Sequence, residues 1–230
     1  AVLAIEPGHE AATFWLAVVR NQRGDAVEIP SVVPDSIVMG LYEGYADHFD
    51  DHLTKSLKYK TPDLLRAMLL ALEPMCGTGS ADAHDGSCSS GDGGSGGTRW
   101  LRCLDLGCGT GLSGVVLRSL SDFLEGVDLS PAMVEKARER DIYDHLCDGE
   151  LVATVRERAN DGLCYDLLVA CDVLVYLGDL GPLFDQATRV VPTGGIFAFT
   201  VEEAGGLGGG EGGKSDSGWR ITPTGRYIHS

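Results

Sequence analysis

The stretch Leu104-Asp105-Leu106-Gly107-Cys108-Gly109-Thr110-Gly111 reads as a β-strand emptying into a glycine-rich turn that opens a helix. Glycine at such a turn lets the backbone bend sharply and lets a ligand approach where a Cβ would collide. Working outward, Trp100 to Leu106 is the strand, Leu112 to Leu120 the helix, and Phe123 to Val127 a second strand that ends at Asp128. Asp128 follows Gly107 by 21 residues, a spacing at which a carboxylate can accept both hydroxyls of a ribose. These features predict an adenosine-type cofactor lying across the carboxyl ends of the first two strands.

The spelling Gly109-x-Gly111-x-x-Gly114 also matches the dinucleotide fingerprint G-x-G-x-x-G, which leaves an NAD-dependent enzyme as one reading. Against it stands Asp105, whose carboxylate at the strand end disfavours a pyrophosphate by like-charge repulsion. The same carboxylate suits a cofactor with a cationic amine and a sulfonium, which describes S-adenosylmethionine. Nothing resembling a hydride-transfer dyad accompanies the glycine turn.

Beyond Asp128 the pattern stays regular. Ser130-Pro131 carries cap chemistry for a helix through Arg140, Leu146-Cys147 is a short weak strand, and residues 150–159 suit a helix. Tyr165 to Cys171 is a near-continuous apolar run, as expected of a strand buried on both faces. A helix over Leu180 to Val191 and a strand over Gly195 to Val201 complete the alternation. Strands alternating with helices predict an α/β fold, a Rossmann-like, doubly wound, mostly parallel sheet.

Ahead of the first strand, residues 9–20 suit a short helix followed by a linker broken by Pro30 and Pro34. Leu41, Tyr45, Phe49, His52 and Leu53 recur at helical spacing between Ile37 and Tyr59, and Thr61-Pro62 starts a second helix that stops near Pro74. The chain thus divides into an N-terminal helix and linker (1–35), two lid helices (36–75), a Gly/Ser/Asp-rich insertion expected to be flexible (76–98) and a core (99–230).

Glycine accounts for 32 of the 230 residues, about double the ordinary ~7%. Fifteen of them fall in two tracts, at 77–97 and 205–213, so the rest of the chain has a globular composition. With 34 acidic against 18 basic side chains and a net charge of -16, the chain argues against a nucleic-acid surface, which needs Lys and Arg on phosphates. No apolar run approaches the roughly 18 residues of a membrane span, and Glu6 and Glu10 stand where a signal peptide needs positive charge. A cytoplasmic protein with no membrane partner is the expectation. Seven cysteines with no C-x-x-C pair suggest reduced thiols and no zinc site.

LDLGCGTG, GVDLSPAMVEKARER, YDLLVACDVLVYLGDL and PTGGIFAFTVE resemble the successive motifs of the class I S-adenosylmethionine-dependent methyltransferases. More narrowly, LYEGYADHFDDHLTKSLKYKTPDLL and WRITPTGRYIHS resemble the predicted methyltransferases that follow tetratricopeptide repeats, and AIEPGHEAATFWLAVV resembles the tail of a last repeat. The resemblance implies that Asp105, Gly107, Cys108, Gly109 and Gly111 hold the methionine end of the cofactor, that Asp128 binds its ribose with Leu129 beside the adenine, and that Asp148 accepts from the adenine amino group. It places Cys171 and Asp172 near the sulfonium, and Tyr42, Tyr45 and Phe49 on a lid over the cofactor.

The implied reaction is methyl transfer to a small molecule or a protein side chain, with Tyr176, His48 or His52 nearest the acceptor. The run ACDVLVY lacks the Asn/Asp-Pro-Pro-Tyr/Phe signature of enzymes that methylate nucleic-acid amino groups. In the family the sheet is closed by a hairpin of two further strands, which the motifs here do not supply. A core lacking them would leave a sheet edge exposed, and a methyltransferase-like binding or scaffold module is the alternative this raises.

Overall fold

The computed structural model describes residues 2–72, 100–202 and 218–229. The expected insertion at 76–98 and the glycine tract at 205–213 lie outside the described residues.

Helix α1 (Val2–Ile5) leads into α2 (Glu10–Gln22), which is capped by the His9 ring accepting from the Ala12 N–H. The expected single helix from Ile37 to Tyr59 is instead α3 (Asp35–Tyr42), α4 (Ala46–Asp51) and a π-helical turn (His52–Ser56). A turn over residues 43–45, which contains Gly44, divides the first two. Helix α5 (Thr61–Ala71) starts with Pro62, where the missing N–H costs nothing.

The core then alternates β1 (Trp100–Leu106), α6 (Leu112–Leu117), β2 (Ser121–Asp128), α7 (Pro131–Arg138), β3 (His145–Asp148), α8 (Leu151–Asn160), β4 (Leu167–Ala170), α9 (Gly181–Val190) and β5 (Ile196–Phe199). All four pairings are parallel, in the order β3-β2-β1-β4-β5. The expected doubly wound sheet is therefore present. Neighbouring strands diverge in connection between β1 and β4, and ligands of such sheets bind at that switch point, outside the carboxyl ends.

Side-chain alternation splits the core in two. Leu104, Leu106, Leu168 and Ala170 face α8 and α9, whereas Cys103, Leu167 and Val169 face α5 and α6. Every residue of β4 is fully buried, which explains its unbroken apolar sequence.

The last segment, β6 (Trp219–Ile221) and β7 (Tyr227–His229), is an antiparallel hairpin that forms its own two-stranded sheet and extends the parallel one nowhere among the described residues. It packs with Phe14 and Val18 of α2 and with Val33 and Val38 in a third apolar cluster. The buried Tyr227 donates its hydroxyl to the Pro30 carbonyl, and the Val33 N–H donates to the Tyr176 carbonyl at 2.9 Å. The N-terminal linker and the C-terminal hairpin together form one wall at the carboxyl end of the sheet.

Candidate functional site

A cleft of about 550 Å³ opens at the carboxyl ends of β1, β2 and β4, roofed by α3 and α4. Its floor is the glycine turn. Gly107, Gly109 and Gly111 take φ values of +69°, +53° and +87°, a region that side chains with a Cβ rarely adopt. Gly107 and Cys108 both donate their N–H to the Val127 carbonyl, at 2.8 and 2.9 Å, and Gly111 donates to the Cys108 carbonyl.

The Asp128 carboxylate accepts from the Gly109 N–H at 2.8 Å through Oδ2 and from the Ser130 N–H at 2.9 Å through Oδ1. Asp128 lines the cleft, and each of its oxygens can accept a further hydrogen bond. Burial pushes this carboxyl above its ordinary pKa, and the two amides pull it back.

Asp105 sits differently from the sequence expectation. Its carboxylate is fully buried beneath the turn, where Oδ2 accepts from the Ser113 hydroxyl at 2.6 Å and the Tyr143 hydroxyl at 2.7 Å. It ties α6 to Tyr143 and is not part of the cleft wall. Burial raises its pKa to about 6.

Of the other expected cofactor residues, the structure brings Gly107, Cys108, Gly109, Leu129, Cys171, Asp172 and Tyr45 to the cleft wall. Gly111 stands just behind it as the N-cap of α6. Asp148 is exposed at the end of β3 and is not part of the wall, where Glu150 and Leu151 stand instead. The Glu150 carboxylate is spent on capping α8, accepting from the Val152 and Ala153 N–H groups.

Among the residues expected near the acceptor, Tyr176 lines the cleft, while His48 and His52 lie exposed on α4 and the π-helical turn, away from its wall. His52 is held by the Tyr45 hydroxyl. Tyr42 and Tyr176 share a hydrogen bond of 2.5 Å, and Tyr45 and Phe49 stack edge to face beside them. Burial pushes both phenols of that pair up, with their shared hydrogen bond adding to the rise at Tyr42 and opposing it at Tyr176, so they stay protonated.

Several residues here escaped the sequence reading. Asp50 accepts from the Thr110 hydroxyl at 2.5 Å and pairs with Arg140, whose Nε donates to the Thr110 carbonyl, so α4 is tied to the glycine turn. Tyr59 reaches Cys171 from the segment before α5. Thr200 exchanges hydrogen bonds with the expected Asp172, which stands at φ +55°: its hydroxyl accepts from the Asp172 N–H and donates to the Asp172 carboxylate, at 2.7 Å each. Arg226 enters the cleft from the hairpin and pairs with Glu202. No local motif marks them, because each is delivered by an element distant in sequence.

Away from the cleft, Glu125, His145 and Cys147 bring ligand-type atoms within 4.8 Å of one another. Arg158 fills that space, donating to Glu125 at 2.8 Å and to the Cys147 sulfur at 3.5 Å. Its guanidinium already supplies the positive charge that a metal ion would bring.

Residues 104–197 match the family model of a methyltransferase domain. The malonyl-[acyl-carrier protein] O-methyltransferase of Salmonella typhimurium is 31% identical over 105 residues, covering 46% of this chain and 40% of that protein. The 18S rRNA (guanine-N(7))-methyltransferase of Bos taurus is 42% identical over 48 residues, 21% of this chain and 17% of that one. The chain thus spans less than half the length of these curated relatives. Among solved structures, a DhpI-SAM-HEP complex superposes with a TM-score of 0.53 at 14% identity, covering 89% of this chain and 84% of that one. A DhpI-SAH complex gives 0.51 at 15% identity, covering 84% and 78%. These likenesses establish the Rossmann-like methyltransferase fold.

Proposed function

We propose that this protein is an S-adenosylmethionine-dependent methyltransferase acting on a small molecule or a protein side chain. The observation that carries the reading is the wiring of the glycine turn: the N–H groups of Gly107, Cys108, Gly109 and Gly111 all donate within the protein. A pyrophosphate needs such amides pointing at it. Their engagement, together with Asp128 beside them, disfavours a dinucleotide and suits a ligand that offers hydroxyls and a positive charge.

The cleft wall fits that group. It carries Asp35, Asp128, Glu150, Asp172 and Glu202 against one guanidinium, and bare backbone at Gly109, where a Cβ would meet only the Phe49 ring at 3.9 Å. Asp128 would hold the ribose and Leu129 would pack beside the adenine. When bound, the cofactor supplies an activated methyl on a cationic sulfur, which leaves as a neutral thioether.

The chain's own part is alignment. The tyrosines and Phe49 of the lid exclude water and present aromatic faces, which attract cations. Holding acceptor and donor in line is worth several orders of magnitude in rate. Cys108 and Cys171 are neutral thiols, since burial pushes the first far up and the second to about 12.

Calorimetry with S-adenosylhomocysteine and with NAD is the direct test. Binding of the former at micromolar concentration, with NAD weaker, is the expected result; tighter NAD binding would sink the proposal.

A further inference from the structure

Arg226 is the one basic side chain among the described residues of the cleft wall. Glu202, its partner, follows β5, which is three strand spacings from β2, or roughly 14 Å. An adenosine anchored at Asp128 and a methionine end at the glycine turn leave this corner, beyond the β1/β4 switch point, for the acceptor.

The hairpin does not need Arg226 for its own attachment. Tyr227 is fully buried and donates to the Pro30 carbonyl, and His229 contacts the Leu177 carbonyl through Nε2 at 2.9 Å and donates its N–H to the Glu202 carbonyl at 3.1 Å. The Arg226–Glu202 side chains are 45% and 39% exposed, and pairs that exposed contribute little to stability. The backbone, by contrast, is fixed at this residue: its N–H donates to the Thr222 hydroxyl at 3.0 Å and its carbonyl accepts from the Thr222 N–H at 2.8 Å. A rigid turn thus presents a guanidinium to the cleft for little structural return.

The donors around it are not exhausted. A guanidinium has five N–H donors, and Glu202 engages the terminal NH2. Beside it, Tyr42 and Tyr176 share one O–H between them, so one phenol hydrogen of the pair has no partner among the described residues. Arg226 acts electrostatically on both phenols, against an opposing effect of Asp128. A planar fork next to a phenol donor is the donor set that a carboxylate accepts bidentately.

We propose that the methyl acceptor is a small molecule bearing a carboxylate, gripped at the β5 end of the cleft by Arg226 and the Tyr42–Tyr176 pair. Asp35, Asp128, Glu150 and Asp172 line the remainder and repel an anion from every other position, so the same charges fix the acceptor's direction. This rests on the S-adenosylmethionine reading, because only then is the β5 end the acceptor's.

The test titrates benzoate, benzyl alcohol and benzylamine into protein saturated with S-adenosylhomocysteine, an aromatic probe being suited to the tyrosine walls. Benzoate binds tightest of the three, and Arg226→Met weakens it about tenfold or more while leaving benzyl alcohol unchanged. Arg226→Lys recovers part of the loss, and equal melting temperatures confirm the fold of both variants. Benzylamine binding tighter than benzoate, benzoate unaffected by Arg226→Met, or no benzoate binding up to its solubility limit would each overturn the proposal. A separate titration of S-adenosylhomocysteine alone reports on the cofactor reading, so a failure there is distinct from a failure of the benzoate series.

Discussion

The Gly109 N–H donates to the Asp128 carboxylate over 2.8 Å, so the acid that ends β2 also shapes the turn that follows β1. Asp128→Ala removes the acceptor for two amides as well as the proposed ribose contact. Affinity for S-adenosylhomocysteine is expected to fall about 10- to 100-fold, from the loss of one or two charge-assisted hydrogen bonds. Asp128→Asn, which keeps one acceptor oxygen, should lose less. Calorimetry on both variants is the check, and an unchanged affinity in Asp128→Ala removes the ribose assignment.

A Cβ on Gly107 would lie 2.4 Å from Val173 Cγ2 and 2.6 Å from Val173 Cβ, on a backbone already at φ +69°. Alanine there adds left-handed strain to overpacking against a β-branched side chain. Gly107→Ala is expected to cost about 2–4 kcal/mol, read as a lowered urea midpoint. Trimming the partner in Gly107→Ala/Val173→Ala should recover part of it; no recovery would place the whole cost in the backbone.

The two cases show what the sequence carried. The glycine turn, the strand–helix alternation and Asp128 were legible because their chemistry is local: a positive φ demands glycine, and a buried parallel strand demands an apolar run. The break at Tyr45 was not, since Leu41, Tyr45 and Phe49 keep helical spacing across it. Asp105 was legible as important but not as buried, because what covers it is Tyr143, 38 residues later. Arg226 was invisible for the same reason at greater range: only the docking of a distant hairpin brings it to the cleft.

Asp105 gives stability a pH dependence of defined sign. Burial raises its pKa from 3.8 to about 6, so between those values the folded chain holds a proton that the unfolded chain has lost. Its contribution therefore falls as pH rises through that window, by up to about 3 kcal/mol in total. Asp105→Asn lacks this dependence. Urea unfolding at pH 4 and pH 7 should show wild type losing stability relative to the variant on going up in pH, and a constant difference would contradict it.

Glu125 is buried among three partners, with Arg158 at 2.8 Å, the Tyr165 hydroxyl at 2.6 Å and the His145 ring at 3.2 Å. Arg158→Ala leaves a buried carboxylate without its cation, which costs about 3–5 kcal/mol. Replacing both partners, as in Glu125→Met/Arg158→Leu, should cost much less than Arg158→Ala alone. Denaturant midpoints of the two variants decide this; equal losses would mean that packing, not charge, dominates there.

Two acids on one lid helix make contacts of unequal weight. Asp47 pairs with Lys136 at 3.0 Å in the open, with the Asp47 side chain 77% exposed, and such a pair adds little. Asp50 is half-buried and takes both the Thr110 hydroxyl and Arg140, and Arg140 in turn grips the Thr110 carbonyl. Tyr45 and Phe49 line the cleft, so the contacts that hold α4 to the glycine turn are expected to set the exit rate of a ligand bound there. Asp50→Ala is expected to speed S-adenosylhomocysteine dissociation about tenfold in stopped-flow displacement, whereas Asp47→Ala should change it about twofold or less. Raising ionic strength should screen the Asp47 pair first. Equal effects of the two substitutions would mean that the helix is held by its aromatic face rather than by its tie to Thr110.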